Sequence, residues 1–366
     1  MKKYDVLKKI VVLTSEFPPL PGGIGNHAYL LSKYLQQSGY NISVLCDYRK
    51  EIEDSIFDLK QSFVVHRIKR NRFTQVNRIK IAKTLIAQHQ TIICSGKFSL
   101  WMGAFFKTFH PKKNFLAVLH GSELKAGNSI LQKLTKWSLG KFDTLIAVSE
   151  FTKKFALSVD SNLTIEVINN GFEIGHFEPN LIEKSTILNL VTVGNLTFRK
   201  GQQNVIRALP LLKKHFPDVH YHCIGIPTEK ERFTVLASSL DVLDCITFYG
   251  ILSDTERNDI LKKSTIFLML SQQIKNDFEG FGIALLEANS LGIPAIGSKN
   301  SGIADAIKNE YSGFLVDQNN PEDVLKAVAK LLKDYPLYSQ QAQEWSTHFD
   351  WNKIIQHYLK IIKDEA

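Results

Sequence analysis

The densest chemical signal in the sequence is DFEGFGIALLEANSLGIP, where Glu279 precedes Gly280, Phe281 and Gly282, and Glu287 follows the apolar run Ile283–Leu286. An acid in so apolar a run should face a cavity or a partner, because burying it unpaired is costly. Glycines at the start of the helix leave backbone N–H groups open as a nest for an anion. The alternative is a glycine-kinked helix start with Glu287 in solvent. A second segment, VTVGNLTFRKG, passes from a strand through Gly194, Arg199, Lys200 and Gly201 into a helix. Two adjacent cations on such a loop are placed to neutralise a diphosphate leaving group, or they form a solvated basic turn. His120 directly follows an apolar strand and precedes Gly121-Ser122-Glu123. Open α/β sheets bind ligands at that end of a strand. The imidazole there either donates a hydrogen bond to an anionic or hydroxyl-bearing substrate or serves as a structural cap. Near the N-terminus, FPPLPGGIGNH sets Gly22, Gly23 and Gly25 just before a helix, where the backbone can approach a ligand closely. The order is not G-x-G-x-x-G, and Asp47 is not convincingly placed as a ribose-binding acid, so a dinucleotide fingerprint is poorly matched.

Other chemistries find no support. Asp277, Glu279, His120 and the remaining acids show no H-E-x-x-H, D-x-D or calcium-loop spacing, so an obligatory protein-bound metal is not indicated. Neither a G-x-S-x-G elbow nor a Walker A lysine occurs. Cys46, Cys94, Cys223 and Cys245 lie far apart in or beside apolar runs, which argues against a disulfide framework and fits a reducing cytoplasm.

The elements that must position these residues follow from length and pattern. At 366 residues the chain exceeds a single core, and two domains are the default. Strand-like runs recur at Ile10–Thr14, Ile42–Cys46, Phe63–Ile68, Thr91–Cys94, Phe115–Leu119, Thr144–Val148 and Thr164–Ile168, with amphipathic segments between several of them. The lysines at the N-terminus precede an apolar run too short for a signal peptide, and it reads as the first strand. After a polar, Pro-containing stretch at Phe177–Ser185, read as the hinge, the pattern restarts. Strands follow at Leu188–Val193, Val219–Ile224, Ile246–Tyr249, Thr265–Leu270 and Ile293–Ile296. Helices fall at Gln202–His215, Ile283–Leu291, Pro321–Lys333 and Asn352–Lys363. Near-continuous apolar strands alternating with helices imply α/β architecture: two Rossmann-like domains with parallel sheets covered on both faces. The expected division is 1–180, 181–345 and a terminal helix at 346–366.

Charge is unevenly spread. Residues 1–180 carry 25 Lys+Arg against 14 Asp+Glu, and residues 181–366 carry 20 against 22. From Leu59 to Ser122 there are 12 basic residues and no acid. Such a field implies an anionic partner: a lipid surface, a polyphosphate or nucleic acid. No helix-turn-helix signature, zinc finger or RNP-like aromatic strand accompanies it, so nucleic acid is not expected as a partner.

In the same order along nearly the whole chain stand PGGIG, HGSE, AVSEFTKK, VINNGFEIGHF, VGNLTFRKG, FEGFGIALLEANSLGIPAIGS, GFLVD and FDWNKIIQHYL. Through them the sequence resembles the retaining, GT-B-fold glycosyltransferases of the large family that includes bacterial mannosyl-, glucosyl- and N-acetylglucosaminyltransferases. The spacing of Glu279 and Glu287 is the most specific element. The resemblance implies two Rossmann-like domains facing each other across a cleft, acceptor in the first and nucleotide sugar in the second, with the terminal helix crossing back to the first. It implies Gly22 and Gly23 against donor phosphate or sugar, and His120 near the sugar's C6 hydroxyl. It implies Lys200 on the diphosphate, Glu279 on the sugar hydroxyls and Glu287 on the ribose. Gly282 and Ile283 would offer backbone N–H groups, beside Gly280 and Phe281. The family usually places an arginine where Asn195 stands, so Arg199 is the candidate for the missing charge. Its usual paired glycines read Ser301-Gly302-Ile303 here.

The reaction so implied is metal-independent hexosyl transfer, with retention, from a UDP- or GDP-linked sugar to a glycan or lipid-linked acceptor, with no permanently bound cofactor. A same-fold phosphorylase or sugar-phosphate synthase, and a non-catalytic polyanion-binding protein, are the alternatives. The cations Arg67, Lys69, Arg70, Arg72, Lys112 and Lys113, beside the aromatic segment Phe98–Phe109, suggest an anionic-membrane or acceptor face. The expected location is cytoplasmic, peripheral on the inner face of the plasma membrane. The competing reading makes Phe98–Phe109 a buried crossover helix.

Overall fold

A computed structural model describes residues 8–20, 22–124, 129–176, 187–275 and 277–364. The chain divides into two compact units: Met1–Asn170 with Trp351–Ala366, and Gly171–Asp350. The hinge read at Phe177–Ser185 lies outside the described residues. Among the described residues no helix is long and apolar enough to cross a membrane.

In the first unit β1 (Lys9–Thr14), α1 (Gly23–Gln37), β2 (Asn41–Asp47), α2 (Glu51–Asp58), β3 (Val64–Ile68) and α3 (Thr74–Gln88) are followed by β4 (Thr91–Ser95), α4 (Lys97–Phe109) and β5 (Asn114–Leu119). Then come α5 (Ser129–Leu139), β6 (Thr144–Ala147), α6 (Glu150–Val159) and β7 (Ile165–Val167). The seven strands form one parallel sheet in the order β3-β2-β1-β4-β5-β6-β7. Because both faces are covered, the central strands are apolar throughout rather than alternating. On one face Val11, Leu13, Ile92 and Cys94 pack against Ala82, Leu85 and Ile86 of α3 and Met102 and Phe106 of α4. Connections run in both directions away from β1 and β4, so the crevice at their carboxyl ends is the topological switch point, the place where open α/β sheets take ligands.

The second unit repeats the plan. It comprises β8 (Asn189–Val193), α7 (Gln202–His215), β9 (His220–Ile224), α8 (Lys230–Ser239), β10 (Ile246–Gly250), α9 (Asp254–Lys262), β11 (Ile266–Met269) and α10 (Ile283–Ser290). It ends with β12 (Ala295–Ser298), β13 (Gly313–Val316), α11 (Pro321–Lys333) and α12 (Tyr335–Ser346). Its six parallel strands lie in the order β10-β9-β8-β11-β12-β13, with the switch point between β8 and β11. Two expectations shift. The strand expected at Ile293–Ile296 begins at Ala295, because Pro294 has no N–H to pair and only its carbonyl joins, accepting from Phe267 N. The edge strand β13 is not signalled by the sequence, being four residues that start on a glycine.

The final helix, α13 (Trp351–Asp364), belongs to the first unit. Trp351, Ile354, Ile355, Tyr358, Leu359 and Ile362 are all buried and recur at the helical period. Trp351 stacks on Tyr34 of α1 at 5.8 Å, and the Tyr358 hydroxyl meets His27 Nε2 at 3.0 Å. His27 is 1% exposed; burial, and secondarily the nearby His120, push its pKa well below the usual histidine value. It is thus neutral when folded, whereas an unfolded chain protonates it below about pH 6.5. The unfolded state binds the extra proton, so this stability is present above that pH and is lost as pH falls. Unfolding free energies from urea titrations at pH 7 to 4 should fall with acidification, and His27→Gln should flatten that fall by up to about 1.4 kcal/mol per pH unit. An unchanged slope in the variant would remove His27 from the acid response.

Candidate active site

In the second unit the chain leaves β8 at Gly194, makes a short 3-10 turn over Phe198–Lys200 and enters α7 through Gly201. Gly201 has φ +86°, and any Cβ there would collide with the Leu270 carbonyl; only glycine lets the loop lie on the end of β11. Side-chain amides on α7 hold the loop from beneath. Gln202 Nε2 donates to Asn195 O at 3.2 Å, Gln203 Nε2 to Phe198 O at 2.9 Å, and Asn204 Nδ2 to Leu270 O at 2.9 Å.

This places Arg199 and Lys200 on one carboxylate. Lys200 Nζ lies 3.0 Å from Glu279 Oε2; Arg199 Nη1 bonds the same oxygen, and Arg199 Nε lies 3.6 Å from Asp277 Oδ1. Burial alone would raise the Glu279 carboxyl, but Lys200 and Arg199 outweigh it and hold the group below the ordinary glutamate value. Glu279 is therefore a carboxylate at neutral pH. Arg199 and Lys200 lean on this acid and do not form the solvated turn that was the alternative. Asn195 is exposed at the loop's outer edge. Beside the cluster a cavity of 630 Å³ is lined by Thr197, Phe198, Arg199, Gln272 and Asp277, a volume in the range of small-ligand sites.

The segment after Glu279 folds back tightly. Gly302 N donates to Glu279 O at 3.0 Å, and a Cβ on Gly302 would strike the Gly280 carbonyl. Gly282, at φ +93°, caps α10; its carbonyl accepts from Leu285 N at 3.0 Å, and the amides of Ile283 and Ala284 lack intrahelical acceptors. The Phe281 side chain turns inward to Phe349, with ring centroids 5.7 Å apart and 2% exposure, leaving only its backbone for a ligand. Glu287, half-buried on α10, has its carboxyl raised by burial, an effect that Arg257 partly offsets and Asp254 reinforces.

In the first unit His120 follows β5. Its Nε2 lies 3.1 Å from the hydroxyl of Ser95 at the end of β4, and its backbone N–H donates to Glu123 Oε1 at 2.6 Å. Its ring meets that of His27 edge-on at 5.0 Å. Burial pushes the His120 pKa down to about 3, so the imidazole is neutral and can donate or accept a hydrogen bond without carrying charge. Gly22 precedes α1, and a Cβ there would come within 3.2 Å of Glu16 Oε2; Gly23, in the first turn, has open space about it.

The expected cationic face changes most. Arg67 is buried: its Nε and Nη2 bind Asp58 at 2.8 and 2.9 Å, Nη2 binds Pro18 O at 2.5 Å, and Nη1 lies 3.4 Å from Asp54. It is a core ion-pair residue and not a surface cation. Lys69 is exposed but paired with Glu51 at 2.6 Å, and Lys113 donates to the His89 and Ala87 carbonyls. Lys112 and Arg72 are exposed, and Arg70 reaches Asp47 at 3.4 Å. The Phe98–Phe109 segment is helix α4; Phe106 is buried, whereas Phe105 and Phe109 are 50% and 65% exposed.

Several positioning residues carry no signal in the sequence. Gln202, Gln203 and Asn204 look like ordinary polar helix residues. Ser271, Ser298 and Ser301 form a buried hydroxyl chain with successive distances of 3.0 Å under the Gly302 turn. No spacing rule marks either set: the amides reach carbonyls of their own loop and of the end of β11, and the serines come from separate strand ends.

Comparison with known proteins gives the family. Residues 176–346 match glycosyl transferases group 1, and residues 21–175 match Glycosyltransferase Family 4. The chain is 23% identical over 352 residues to the GDP-mannose-dependent alpha-(1-6)-phosphatidylinositol monomannoside mannosyltransferase of Mycobacterium tuberculosis H37Rv, covering 90% of each protein. It is 22% identical over 374 residues to a component of the phosphatidylinositol N-acetylglucosaminyltransferase of Arabidopsis thaliana, covering 98% of this chain and 82% of that one. Among solved structures, Anabaena HepE in complex with UDP and glucose superposes with a TM-score of 0.79 at 17% identity, covering 98% of this chain and 100% of that chain. The sucrose-phosphate synthase of Thermosynechococcus elongatus gives 0.81 at 17% identity over 98% of both. The two family matches together run from residue 21 to 346, and the chain belongs to the group 1, family 4 type of glycosyltransferases, with two parallel-sheet Rossmann-like domains of the GT-B kind.

Proposed function

We propose that this glycosyltransferase moves a hexosyl unit from a nucleoside diphosphate sugar to a glycan or lipid-linked acceptor, with retention at the anomeric carbon and without a metal ion. The observation that carries the reading is the meeting of Lys200 and Arg199 on the buried Glu279 at the switch point of the second unit. The second unit then takes the donor and the first the acceptor. HepE, a structural neighbour, is seen with UDP and glucose, and the mycobacterial relative is named for GDP-mannose and a phosphatidylinositol monomannoside.

The roles follow from charge. As the sugar–phosphate bond breaks, negative charge grows on the leaving β-phosphate and positive charge on the sugar ring. Lys200 stabilises the first, helped by the open amides at the start of α10. Glu279, an ionised acceptor, binds sugar hydroxyls, and Glu287 binds the ribose hydroxyls. His120, being neutral, donates a hydrogen bond to a sugar hydroxyl without adding a cation beside a positively charged ring. The leaving phosphate itself is the base for the incoming hydroxyl in a same-face displacement.

The lipid-linked acceptor is supported by α3. Phe73, just before it, and Val76 and Ile79 within it are 50%, 50% and 43% exposed, beside the exposed Arg72, Lys80 and Lys83. Exposed apolar side chains ringed by cations suit docking on an anionic bilayer, each near-surface cation contributing about 1 kcal/mol. The enzyme would then work on the cytoplasmic face of the plasma membrane.

Three measurements test this. Calorimetry with UDP, GDP and ADP in chelator should show one of them binding; binding by none would sink the donor assignment. Lys200→Ala should lower kcat by about 10²–10³-fold, as loss of one transition-state charge contact does, whereas Glu287→Gln should act mainly on nucleotide affinity. Equal, negligible effects would misplace the site. Sedimentation with liposomes should rise with anionic lipid, weaken with salt and fall when Arg72, Lys80 and Lys83 become Glu, nucleotide affinity being unchanged. Indifference to anionic vesicles at low salt would point to a soluble acceptor.

A further inference from the structure

A second cavity, of 550 Å³, opens in the first unit at the carboxyl edge of its sheet. Its walls come from the ends of four neighbouring strands or the loops after them: Ser15 after β1, Asp47 at the end of β2, Arg70 and Arg72 beyond β3, and Phe98 at the start of α4 after β4. Arg78, on the first turns of α3, completes it. This edge includes the switch point between β1 and β4, where the fold favours ligands.

The cavity is built for an anion. Three arginines face one acid, Asp47, leaving a formal charge of +2. Asp47 is 2% exposed and organises the arginines: Oδ1 binds Arg78 Nη2, and Oδ2 lies 3.4 Å from Arg70 Nε. Arg78 is 4% exposed, packs over the Phe98 ring at 4.5 Å and donates Nη1 to Gln75 Oε1 at 2.8 Å. Its Nε is buried with no hydrogen-bond partner. A buried guanidinium donor left unsatisfied is costly and uncommon, so Asp47 and Gln75 do not exhaust the donors of Arg78. Arg72 has no ion-pair partner among the described residues; its guanidinium lies 4.7 Å from the Phe73 ring. So one arginine is fixed and partly unsatisfied, one is half-held and one is open. Planar guanidinium forks arranged this way match the oxygens of a phosphate.

We propose that this cavity binds a phosphate ester on the acceptor, which makes the acceptor a phosphorylated molecule and this pocket the part of the enzyme that selects it. A phosphate monoester carries about two negative charges near neutral pH, which balances the +2 of the walls, whereas a carboxylate would neutralise half of it. The inference rests on reading the first unit as the acceptor side. A cavity of this volume also has room for the sugar or polyol next to the phosphate. The phosphate sits either on a soluble molecule or in a lipid headgroup.

The test uses the full chain and exposed arginines, so that folding is not at stake. Calorimetry with inorganic phosphate and glycerol 3-phosphate is run with and without saturating nucleoside diphosphate, using whichever of UDP, GDP and ADP binds. Both phosphates should bind with the nucleotide in place. The double variant Arg70→Gln, Arg72→Gln should weaken them at least tenfold while nucleotide affinity stays within twofold. Glucuronate, the carboxylate probe, should bind more weakly. In parallel, sedimentation with vesicles of phosphatidylcholine and phosphatidic acid separates the sources. Vesicle binding that glycerol 3-phosphate displaces and the double variant loses supports the site and assigns a lipid headgroup; vesicle binding that glycerol 3-phosphate leaves intact, while the double variant loses soluble phosphate, supports the site and assigns a soluble acceptor. Phosphate displaced by nucleotide, phosphate affinity unchanged in the double variant, or glucuronate bound as tightly as glycerol 3-phosphate would each overturn the proposal. If no nucleotide binds, the donor assignment fails while the phosphate titrations still decide this pocket.

Discussion

The buried carboxylate of Glu279 is the fixed point of the second unit, because two cations from a different loop converge on one of its oxygens. A carboxylate so far from solvent is stable as an ion only when paired, and removing either cation would leave charge uncompensated. The pair in turn demands that the loop after β8 and the segment after β11 come close, which the sheet provides by making those strands neighbours. Gly201 against the Leu270 carbonyl and Gly302 against the Gly280 carbonyl are the places where that approach is tightest. Side chains at either point would push apart the loops that the ion pair draws together.

The same electrostatics limits what the cluster can do alone. Lys200 and Arg199 are matched by Glu279 and Asp277, so the four groups sum to zero formal charge. A diphosphate bound there, as proposed, would meet no bare cationic surface and would compete for cations already held in place. In the proposed reaction that arrangement would cost binding energy in the ground state but hold Lys200 where charge develops, which is the condition for electrostatic stabilisation without reorganisation. On that proposal the amides at the start of α10, whose positive character cannot be neutralised by a side-chain pair, would be a necessary part of the anion site rather than an accessory.

The sequence showed most of this architecture because parallel sheets covered on both faces demand long apolar strands, such as Ile10–Leu13 and Phe115–Leu119, that few other folds require. It singled out Glu279, Lys200 and His120 because each sits where a strand ends or a helix begins, and glycines mark those places. It did not show the residues that support them. Gln202 and Asn204 fasten the loop through carbonyls of residues seven and sixty-six positions away. The Ser271–Ser298–Ser301 hydroxyl chain joins the ends of two strands. Apart from the local Gln202 contact, such partners are set by sheet order, which local periodicity does not encode. β13 was missed for a related reason: its identity as a strand comes from its neighbour β12 and not from its four residues.

The acid-free stretch from Leu59 to Ser122 shows the difference between a charge count and a field. Acids from outside the stretch enter it on folding: Asp54 and Asp58 hold Arg67, Glu51 holds Lys69, Asp47 holds Arg70 and Arg78, and Asp143 holds Lys107. What the sequence presents as one basic block is thereby divided, among the described residues, into five cations held by acids and the others. Arg72, Lys80 and Lys83 are in that second set, and all three lie on or just before α3, next to the exposed Phe73, Val76 and Ile79. A charge held by a buried acid projects little field into solvent, whereas an unpaired one at the surface projects its field over about a Debye length. The anionic partner implied by composition is therefore to be sought along α3 and its approach, a much narrower surface than the 12 basic residues of the stretch suggest.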